Sequence, residues 1–494
     1  MKFIRFFLPR IEYILFAAIF WGIAAMGPVM LNSDGDLPRH LLVGETIRAT
    51  GAVELVDIYS FRTTGFASTP HEWLAQVIYS LFYDWLGLGG VVILAALLIT
   101  LAWGLVFNDA NRRSGSLLIA LVLTAVGVTA SLIHGLPRPH LFSYVLIPVW
   151  IMTLEHTGNK PSLWWRLPLI MLLWVNLHGM FVLGIAIWGI YLVDALFETP
   201  WRTWLKHPGI RSLLAGGGLS LLATLFSPSG YHIWATIASL GGNAYIKSRV
   251  IEYQSANFQI IEAWPSILLL LLVTAGYART QNKAAWRHVF LITAFAALAI
   301  YSSRMLPIFA LVAVPIVARV MADWLETELP GGNPLQRLEG RIAPLSQSAN
   351  GAIWLVTVFL LVVYVFQLGI PIDAKNKGNV FDPKFFPVAA VDWLEAHPQS
   401  GHVFNEFDWG GYLLLKLWPQ YQIFMDGHTH IYGETLTREY EEIITTAEGW
   451  QELLEKYEVQ WAIVRTDSRI AKALQGADWQ ILYQDDTAII LHHP

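Results

Sequence analysis

The chain has 494 residues, of which 55% are hydrophobic and 14% charged, and its formal net charge is -5. It contains no cysteine, which excludes disulfides, thiolate nucleophiles and Cys-ligated metals, and its weak negative charge gives no sign of a nucleic-acid partner. Many apolar runs are long enough to cross the roughly 30 Å hydrocarbon core of a bilayer. The composition therefore predicts a polytopic α-helical membrane protein, with 22 Trp and 18 Tyr suited to interfacial belts.

The first apolar run, residues 11–31, is too long and lacks the small-residue cleavage site of a removed signal peptide, so we expect it to be a permanent span. Lys2, Arg5 and Arg10 precede it. By the positive-inside rule, the N-terminus is expected in the cytoplasm and the loop 32–88 outside.

This outer loop begins with the acidic sequence Ser-Asp-Gly-Asp at residues 33–36. Apolar residues at helical spacing predict a short amphipathic helix over 36–50. A second helix, 71–86, carries two acids and is expected to lie in the interface. Glycines at 87–90 break it before the next span, 89–107.

The later apolar runs alternate across the membrane and bring the expected total to about eleven crossings. Residues 167–197 are interpreted as two helices that meet near 176–179, because a single helix would place the following basic residues outside. Residues 227–263 form a second large outer segment, and residues 326–350 a cytoplasmic linker. The remaining predicted spans are 116–133, 141–154, 213–226, 264–277, 289–301, 305–321 and 351–369.

The composition becomes polar after Pro371. We therefore expect residues 1–371 to form the transmembrane domain and residues 372–494 a soluble, extracytoplasmic α/β domain. Strands are predicted near 402–405, 422–425, 460–465, 479–483 and 487–492, and helices near 411–417, 436–446 and 450–456.

Asp34 and Asp36 are the first candidates for chemistry. Two carboxylates one residue apart can bind a divalent cation such as Mg²⁺ or Mn²⁺, or supply a general base. Asp36 fits a helix N-cap equally well, because Pro38 follows it at an early helical position. Asp34 is not needed as a cap, which favours a functional role for it.

His71 and Glu72 stand at the start of the predicted interfacial helix, on the same outer side. An acid in the first turn is favoured by the helix dipole alone, but Glu72 can also complete a site with Asp34. His178 lies in an apolar stretch, where a buried, hydrogen-bonded histidine is the simpler interpretation.

Arg138, Glu252 and Arg304 are also predicted on the outer side. Arginine recognises phosphate well, although Arg304 can equally be a snorkelling interface residue. Glu252 can be a metal ligand, an acid that binds the acceptor, or a solvated loop residue.

Two motifs of the predicted soluble domain hold further candidates. Asp408 and Trp409 join a strand to a helix in the sequence Asp-Trp-Gly-Gly-Tyr, residues 408–412, and Asp426 follows in Met-Asp-Gly. The glycines permit a tight turn and Asp408 can cap the helix, so these motifs can also serve the fold only.

A first span followed by an acidic outer loop, an interfacial helix and short-looped spans resembles the GT-C superfamily of membrane glycosyltransferases. That superfamily includes oligosaccharyltransferase catalytic subunits, protein O-mannosyltransferases and lipid A aminoarabinose transferases. The resemblance, strongest to bacterial proteins without assigned activity, covers most of the chain. Residues 408–412 are similar to the region of the oligosaccharyltransferase Trp-Trp-Asp-Tyr-Gly motif, which is itself absent, and the turn 134–140 lacks the acids that help to hold metal in those enzymes.

The resemblance implies an acid in the first outer loop, Asp34 or Asp36, that is catalytic or binds metal. Glu252 and Arg304 stand where the family has an outer-loop glutamate and a diphosphate-binding arginine. We therefore expect transfer of a sugar from a polyprenyl-phosphate or -diphosphate carrier to a glycan, lipid or protein acceptor, outside a bacterial inner membrane. The alternatives are a non-catalytic scaffold with this fold and, with less support, a transporter.

Overall fold

The computed structural model describes residues 7–280, 283–329, 334–348, 351–372 and 378–494. Its helices up to residue 372 are α1 Ile11–Ala25, α2 Gly27–Asn32, α3 Leu37–Thr50, α4 Trp73–Ser114, α5 Leu117–Ser131, α6 His140–Asn159, α7 Arg166–Leu177, α8 Phe181–Glu198, α9 Pro208–Ala223, α10 His232–Gly242, α11 Ala244–Arg249, α12 Trp264–Arg279, α13 Trp286–Tyr301, α14 Leu306–Glu328, α15 Pro334–Ser348 and α16 Ile353–Gln367.

The chain is a multi-pass membrane protein. In its described part, five helical segments are long and apolar enough to cross a bilayer, and α1, α13 and α16 are shorter apolar helices. The expected total of about eleven crossings stays a prediction. The five segments are Trp73–Ser114, Leu117–His134, Phe181–Glu198, Ile261–Arg279 and Ser303–Glu328.

Helices α4 and α14 form the centre of the helical bundle. Residues 88–96 of α4 and 306–318 of α14 are buried without interruption. A helix that is apolar on all sides belongs in the interior of a bundle, surrounded by other helices. The other helices of the bundle therefore pack around these two.

Helix α4 contains the predicted break between the interfacial helix and the span. Leu86 has φ -147° and Gly87 has φ 56°, a left-handed value that glycine adopts without strain. The two parts abut with no intervening loop. The prediction of a helix, a glycine break and a span is confirmed, with the second part running on to Ser114.

Helices α7 and α8 confirm the expectation that residues 167–197 are two helices. α7 ends at Leu177 and α8 begins at Phe181. His178 has an extended backbone, with φ -166° and ψ 143°, which ends the helix. The turn between the two helices lies beside the candidate site.

Two predictions about helical boundaries are wrong. The expected first span breaks at Met26 into α1 and α2, where Pro28 occupies the first turn of α2. The expected linker 326–350 contains α15. The Glu339 carboxylate accepts hydrogen bonds from the backbone N–H groups of Leu117 (2.8 Å) and Leu118 (3.1 Å), which lack partners within α5.

The C-terminal part contains a four-stranded sheet of strand order β1-β2-β4-β3. β1 and β2 are parallel, and the other two pairs are antiparallel. Helices pack on both faces of this sheet, in two apolar clusters. The elements are α17 Val388–Ala396, β1 His402–Asn405, α18 Gly410–Leu417, α19 Thr429–Ile444, α20 Trp450–Lys456, β2 Val459–Arg465, α21 Arg469–Gly476, β3 Gln480–Gln484 and β4 Ala488–His492.

Four of the five predicted strands are confirmed. Residues 422–425 are not a strand and make a single bridge, between Ile423 and Ser60 of the first outer loop. A side chain takes the place of strand pairing at these residues, because Oδ1 of Asn405 accepts the backbone N–H of Phe424 at 2.8 Å. The domain division at 371/372 stays a prediction, and residues 373–377, where the soluble domain would begin, lie outside the described residues.

Candidate active site

Asp34 lies at the bottom of the acidic loop and is 1% exposed. Its Oδ1 accepts the backbone N–H of Asp36 at 2.9 Å, and Arg138 reaches both of its carboxylate oxygens, at 2.7 and 2.8 Å. Burial raises the pKa of this carboxyl, but Arg138 and the Asp36 N–H together hold the pKa below its ordinary value. Asp34 is therefore an ionised, fully engaged carboxylate.

Asp36 occupies the N-cap position of α3, yet its carboxylate accepts no capping hydrogen bond. The predicted capping role is therefore not the one its side chain performs. The carboxylate is 31% exposed and lies 3.1 Å from Nη1 of Arg138. Burial, together with the negative charges of Asp34 and Glu252, raises the pKa of Asp36 to about 7.

Arg138 joins the acids of two loops that are far apart in sequence. It lies just before α6, and its Nη1 donates to Oε1 of Glu252 at 3.0 Å, in the turn Ile251–Tyr253. The hydroxyl of Tyr79 on α4 donates to the Arg138 carbonyl at 3.0 Å. Three predicted site residues besides Arg138 (Asp34, Asp36 and Glu252) thus meet around one guanidinium.

Glu72 is the centre of a second group, formed by imidazoles. Its carboxylate lies 3.3 Å from His178, 3.8 Å from His71 and 3.9 Å from His40. Burial raises the pKa of Glu72, but the neighbouring histidines and Arg304 outweigh it and lower the pKa to about 2. Glu72 is therefore an anion at neutral pH.

His178 is held firmly in this group. Its Nδ1 faces Oγ of Ser143 at 2.9 Å and accepts the Met180 N–H at 3.3 Å, which leaves the proton on Nε2, facing Glu72. The Trp174 indole in turn donates to Ser143 at 2.8 Å. This chain of bonds orients the imidazole, so His178 positions Glu72.

Arg304 lies between the two groups. Ser302 and Ser303, just before it, donate to the Glu252 carbonyl at 2.7 and 3.2 Å, which ties its loop to the acidic group. The guanidinium lies over the Tyr253 ring at 5.1 Å. Within the described residues its buried Nε makes no hydrogen bond, so Arg304 keeps donor capacity for a ligand.

The C-terminal part is docked on the acidic loop through backbone contacts. A Cβ on Gly35 would lie 2.6 Å from the Asp408 carbonyl oxygen, and one on Gly411 would lie 2.7 Å from the Gly35 carbonyl oxygen. Only glycine permits so close an approach of two backbones. The motif at 408–412 therefore positions the acidic loop.

Among the described residues, the side chains of Asp408, Trp409 and Asp426 make no hydrogen bond or ion pair with Asp34 or Asp36, although the charge of Asp426 contributes to the raised pKa of Asp36. The Asp408 carboxylate is 68% exposed and lies 3.3 Å from Arg465. Trp409 is fully buried and donates to the Phe385 carbonyl at 2.8 Å. Asp426, 1% exposed, forms a buried ion pair with Arg39 of α3.

Several residues of this region were not singled out by the sequence. Arg39 also lies 3.5 Å from Asp57 and donates to Nδ1 of His428 at 3.0 Å. Burial lowers the pKa of His428, and lowers that of His430 to about 3, so both imidazoles are neutral at pH 7. Their signal was the His-Thr-His sequence directly after the Asp426 motif.

Divalent metal binding by Asp34 and Asp36 does not fit this arrangement. Both carboxylates and Glu252 face Arg138, whose N–H groups take the oxygens that a cation would need. No group of three or more His, Asp or Glu side chains in the described ranges is arranged to hold a metal ion.

An apolar groove adjoins the Glu72 group. It is lined by Trp73, directly after Glu72, by leucines of α7 and by Phe226. The Trp73 indole donates to Oδ1 of Asn176 at 2.7 Å, which fixes one wall. Leu169 and Phe226 are 55% and 72% exposed, so the groove opens to the side of the helical bundle.

The comparison with solved structures shows that the chain shares its fold with ArnT and with an archaeal oligosaccharyltransferase, in agreement with the fold that the sequence resemblance implied. No protein-family model and no curated protein matches the sequence.

Two proteins are among the solved structures that share this fold. ArnT from Cupriavidus metallidurans, bound to undecaprenyl phosphate, has a TM-score of 0.50 and 14% identity over 97% of each chain. The apo oligosaccharyltransferase of Archaeoglobus fulgidus has a TM-score of 0.57 and 10% identity over 92% of this chain and 70% of that one. The same archaeal enzyme, AglB, in complex with an inhibitory peptide and a dolichol-phosphate, has a TM-score of 0.56, 10% identity and the same coverage.

Proposed function

We propose that this protein is an inverting glycosyltransferase that moves a sugar from a polyprenyl-phosphate or -diphosphate carrier to a hydroxyl of an acceptor. The observation that carries the proposal is the placement of a group of acids and cations beside an apolar groove that opens laterally. A lipid-linked sugar needs both surfaces, one for its charged head and one for its tail. The carriers bound by ArnT and AglB, undecaprenyl phosphate and dolichol-phosphate, support the same class of donor.

Arg304 is the residue proposed to bind the carrier phosphate. Its buried Nε makes no hydrogen bond among the described residues, whereas the guanidinium of Arg138 is taken up by carboxylates. A planar guanidinium binds phosphate oxygens through two parallel hydrogen bonds. Glu72, held by its imidazoles close to Arg304, would orient the sugar hydroxyls next to that phosphate.

The groove beside Trp73 is proposed to hold the prenyl tail. Glu72 directly precedes Trp73, so a chain lying in the groove would bring its phosphate to the polar group. Burial of apolar carbon contributes about 0.8 kcal/mol per CH₂. A few isoprene units in the groove would therefore hold the donor in place.

Asp36 is proposed as the general base. With a pKa raised to about 7, it can accept a proton at neutral pH, whereas Asp34 is held ionised by Arg138. The acceptor oxygen would attack the anomeric carbon as the bond from that carbon to the phosphate oxygen breaks. The electron pair leaves on the carrier phosphate, and the acceptor proton passes to Asp36.

The proposed setting is the outer face of a bacterial inner membrane. Three groups of the site stand on the loops predicted to be outside, namely residues 32–88, 134–140 and 227–263. Carrier-linked donors are lipids, so a membrane enzyme with a lateral groove is suited to them.

The proposal is tested by donor turnover in nanodiscs. Purified protein is offered a panel of polyprenyl-linked sugars and membrane extract as the source of acceptor, and release of the carrier phosphate is followed. We expect turnover of at least one donor, abolished by the double substitution Asp34→Asn/Asp36→Asn. Turnover that survives this double substitution would sink the proposal, and the absence of turnover with every donor would favour a scaffold.

A further inference from the structure

We infer that the guanidinium of Arg138 takes the place of a divalent cation among the three outer carboxylates, so that the site excludes Mg²⁺ and Mn²⁺ while Arg138 is present. The inference deepens the proposed function, because it concerns the same acids. It rests on the contacts of Arg138, and its main test does not require glycosyl transfer.

All three nitrogens of the Arg138 guanidinium face carboxylates. Nε and Nη2 face the two oxygens of Asp34 at 2.8 and 2.7 Å. Nη1 lies 3.1 Å from Oδ2 of Asp36 and 3.0 Å from Oε1 of Glu252. Nε and Nη1 thus donate hydrogen bonds to Asp34 and Glu252, and the other two contacts are close ion pairs.

The guanidinium lies between three acids from two separate loops, before α3 and before α12. Asp34 faces Nε and Nη2, whereas Asp36 and Glu252 face Nη1, so the acids surround the guanidinium on different sides. Mg²⁺ requires oxygen ligands at about 2.0–2.1 Å in octahedral geometry. Oxygens that face different nitrogens of a guanidinium do not lie that close to one ion, so a divalent cation would have to displace Arg138 and draw the three acids together.

Arg138 is held so that it does not swing away easily. Its side chain is 19% exposed and Asp34 is fully buried beneath it. The Tyr79 hydroxyl fixes its backbone carbonyl at 3.0 Å. Arginine stays protonated at every physiological pH, so it provides a permanent positive charge that needs no uptake from solution.

A consequence follows for the charge of the site. One fixed positive charge faces three carboxylates, and Arg138 has little capacity left for a phosphate. If the site transfers sugar as proposed, the leaving phosphate must be stabilised by Arg304, on the other side of Glu252. Arg138 is then a positioning residue for the acids.

Removal of the guanidinium should uncover a cation site. Arg138→Ala leaves three neighbouring carboxylates without a cation among them, a ligand type that hard cations favour, and a bound ion would draw them together. We expect Arg138→Ala to bind one Mn²⁺ per chain, at least ~10-fold more tightly than the wild type. The number of sites and their affinity are measured by titrating the detergent-solubilised protein with Mn²⁺ and recording how much of the EPR signal of free Mn²⁺ is lost.

Two further variants complete the experiment. Arg138→Ala/Asp36→Asn should lose the gained Mn²⁺ site, and Arg465→Ala, which removes an exposed arginine next to Asp408, should behave as the wild type. If Arg138→Ala does not fold, Arg138→Gln, with a side chain of intermediate length, takes its place in the same Mn²⁺ titration. The titration of the wild type needs no variant.

The inference is overturned if the wild type binds one Mn²⁺ tightly and Asp34→Asn removes that binding. It is also overturned if a folded Arg138→Ala or Arg138→Gln gains no Mn²⁺. Where turnover is measurable, the wild-type rate should be unchanged in EDTA. A metal-independent wild type without any turnover would leave this inference standing and contradict only the proposed transfer.

Discussion

The backbone N–H of Asp36 donates to the carboxylate of Asp34 at 2.9 Å, and this bond adds to the contacts of Arg138 with Asp34 that make the two acids of the loop unequal. Asp34 becomes a buried counter-ion of Arg138. Asp36 is left with a partly exposed carboxylate and a pKa of about 7. Asp36 is therefore the acid of this loop that gains or loses a proton near neutral pH.

The inequality predicts different effects on stability. Asp34→Asn breaks a buried ion pair and should lower the free energy of unfolding by about 3 kcal/mol. Asp36→Asn should change it by less than about 1 kcal/mol, because its carboxylate is partly exposed and its neutral form is already accommodated. Thermal unfolding in one detergent measures both, and equal losses would contradict the assignment.

The raised pKa of Asp36 predicts how transfer depends on pH. A base must be ionised, so kcat/KM should rise about tenfold per pH unit below 7 and level off above it. Asp36→Asn should abolish this rise of kcat/KM with pH, the acidic limb of the profile, together with most of the rate. Asp408→Asn, which alters an exposed carboxylate, should leave the limb in place, and a wild-type profile flat between pH 5 and 8 would rule Asp36 out as the base.

Arg304 is predicted to set the affinity for the carrier. Loss of a charged hydrogen-bonded contact costs about 1.5–3 kcal/mol, so Arg304→Ala should weaken undecaprenyl phosphate binding by roughly 10- to 150-fold. Native mass spectrometry with the lipid phosphate measures it. Arg465→Ala serves as the matched control, and equal affinity of Arg304→Ala and the wild type would show that the phosphate binds elsewhere.

Arg39 is predicted to hold the C-terminal part on the outer loop. Its side chain and that of Asp426 are 8% and 1% exposed, and Arg39 reaches Asp57 as well. Arg39→Ala should cost about 3–5 kcal/mol, because two acids are left buried without a cation.

Limited proteolysis reports on this docking. Arg39→Ala should speed cleavage in the chain that precedes α17, and the apolar pair Arg39→Met/Asp426→Leu should recover part of the loss. Unchanged proteolysis of the single variant would show that the glycine contacts with residues 408–411 suffice for docking.

Much of the helical order could be predicted from the sequence, because hydrophobic runs and glycine or proline breaks are local signals. The turn at His178 and the break at Gly87 are examples. The helix α15 was missed because its polar residues resemble a linker, and its stability depends on Glu339 capping a distant helix. A contact over 222 residues leaves no local trace.

The candidate site was predicted only in part, because some of its residues carry a local signal in the sequence and others are brought together by long-range contacts. Asp34, Glu72, Glu252 and Arg304 stood out as charges near apolar spans, and the topology put them on one side. That Arg138 lies among the acids, and that Arg39 pairs with Asp426, depends on loops far apart in sequence. Burial raises the pKa of both Asp34 and Asp36, and their order of acidity depends on the contacts of Arg138 with Asp34, which the spacing of the two acids does not reveal.

The most direct measurement is a paired turnover assay in nanodiscs, with a polyprenyl-linked sugar that the wild type uses. Release of the carrier phosphate should fall at least ~100-fold in Asp36→Asn and stay within twofold of the wild type in Asp408→Asn. Equal turnover by Asp36→Asn and Asp408→Asn would contradict a catalytic role for the outer acidic loop.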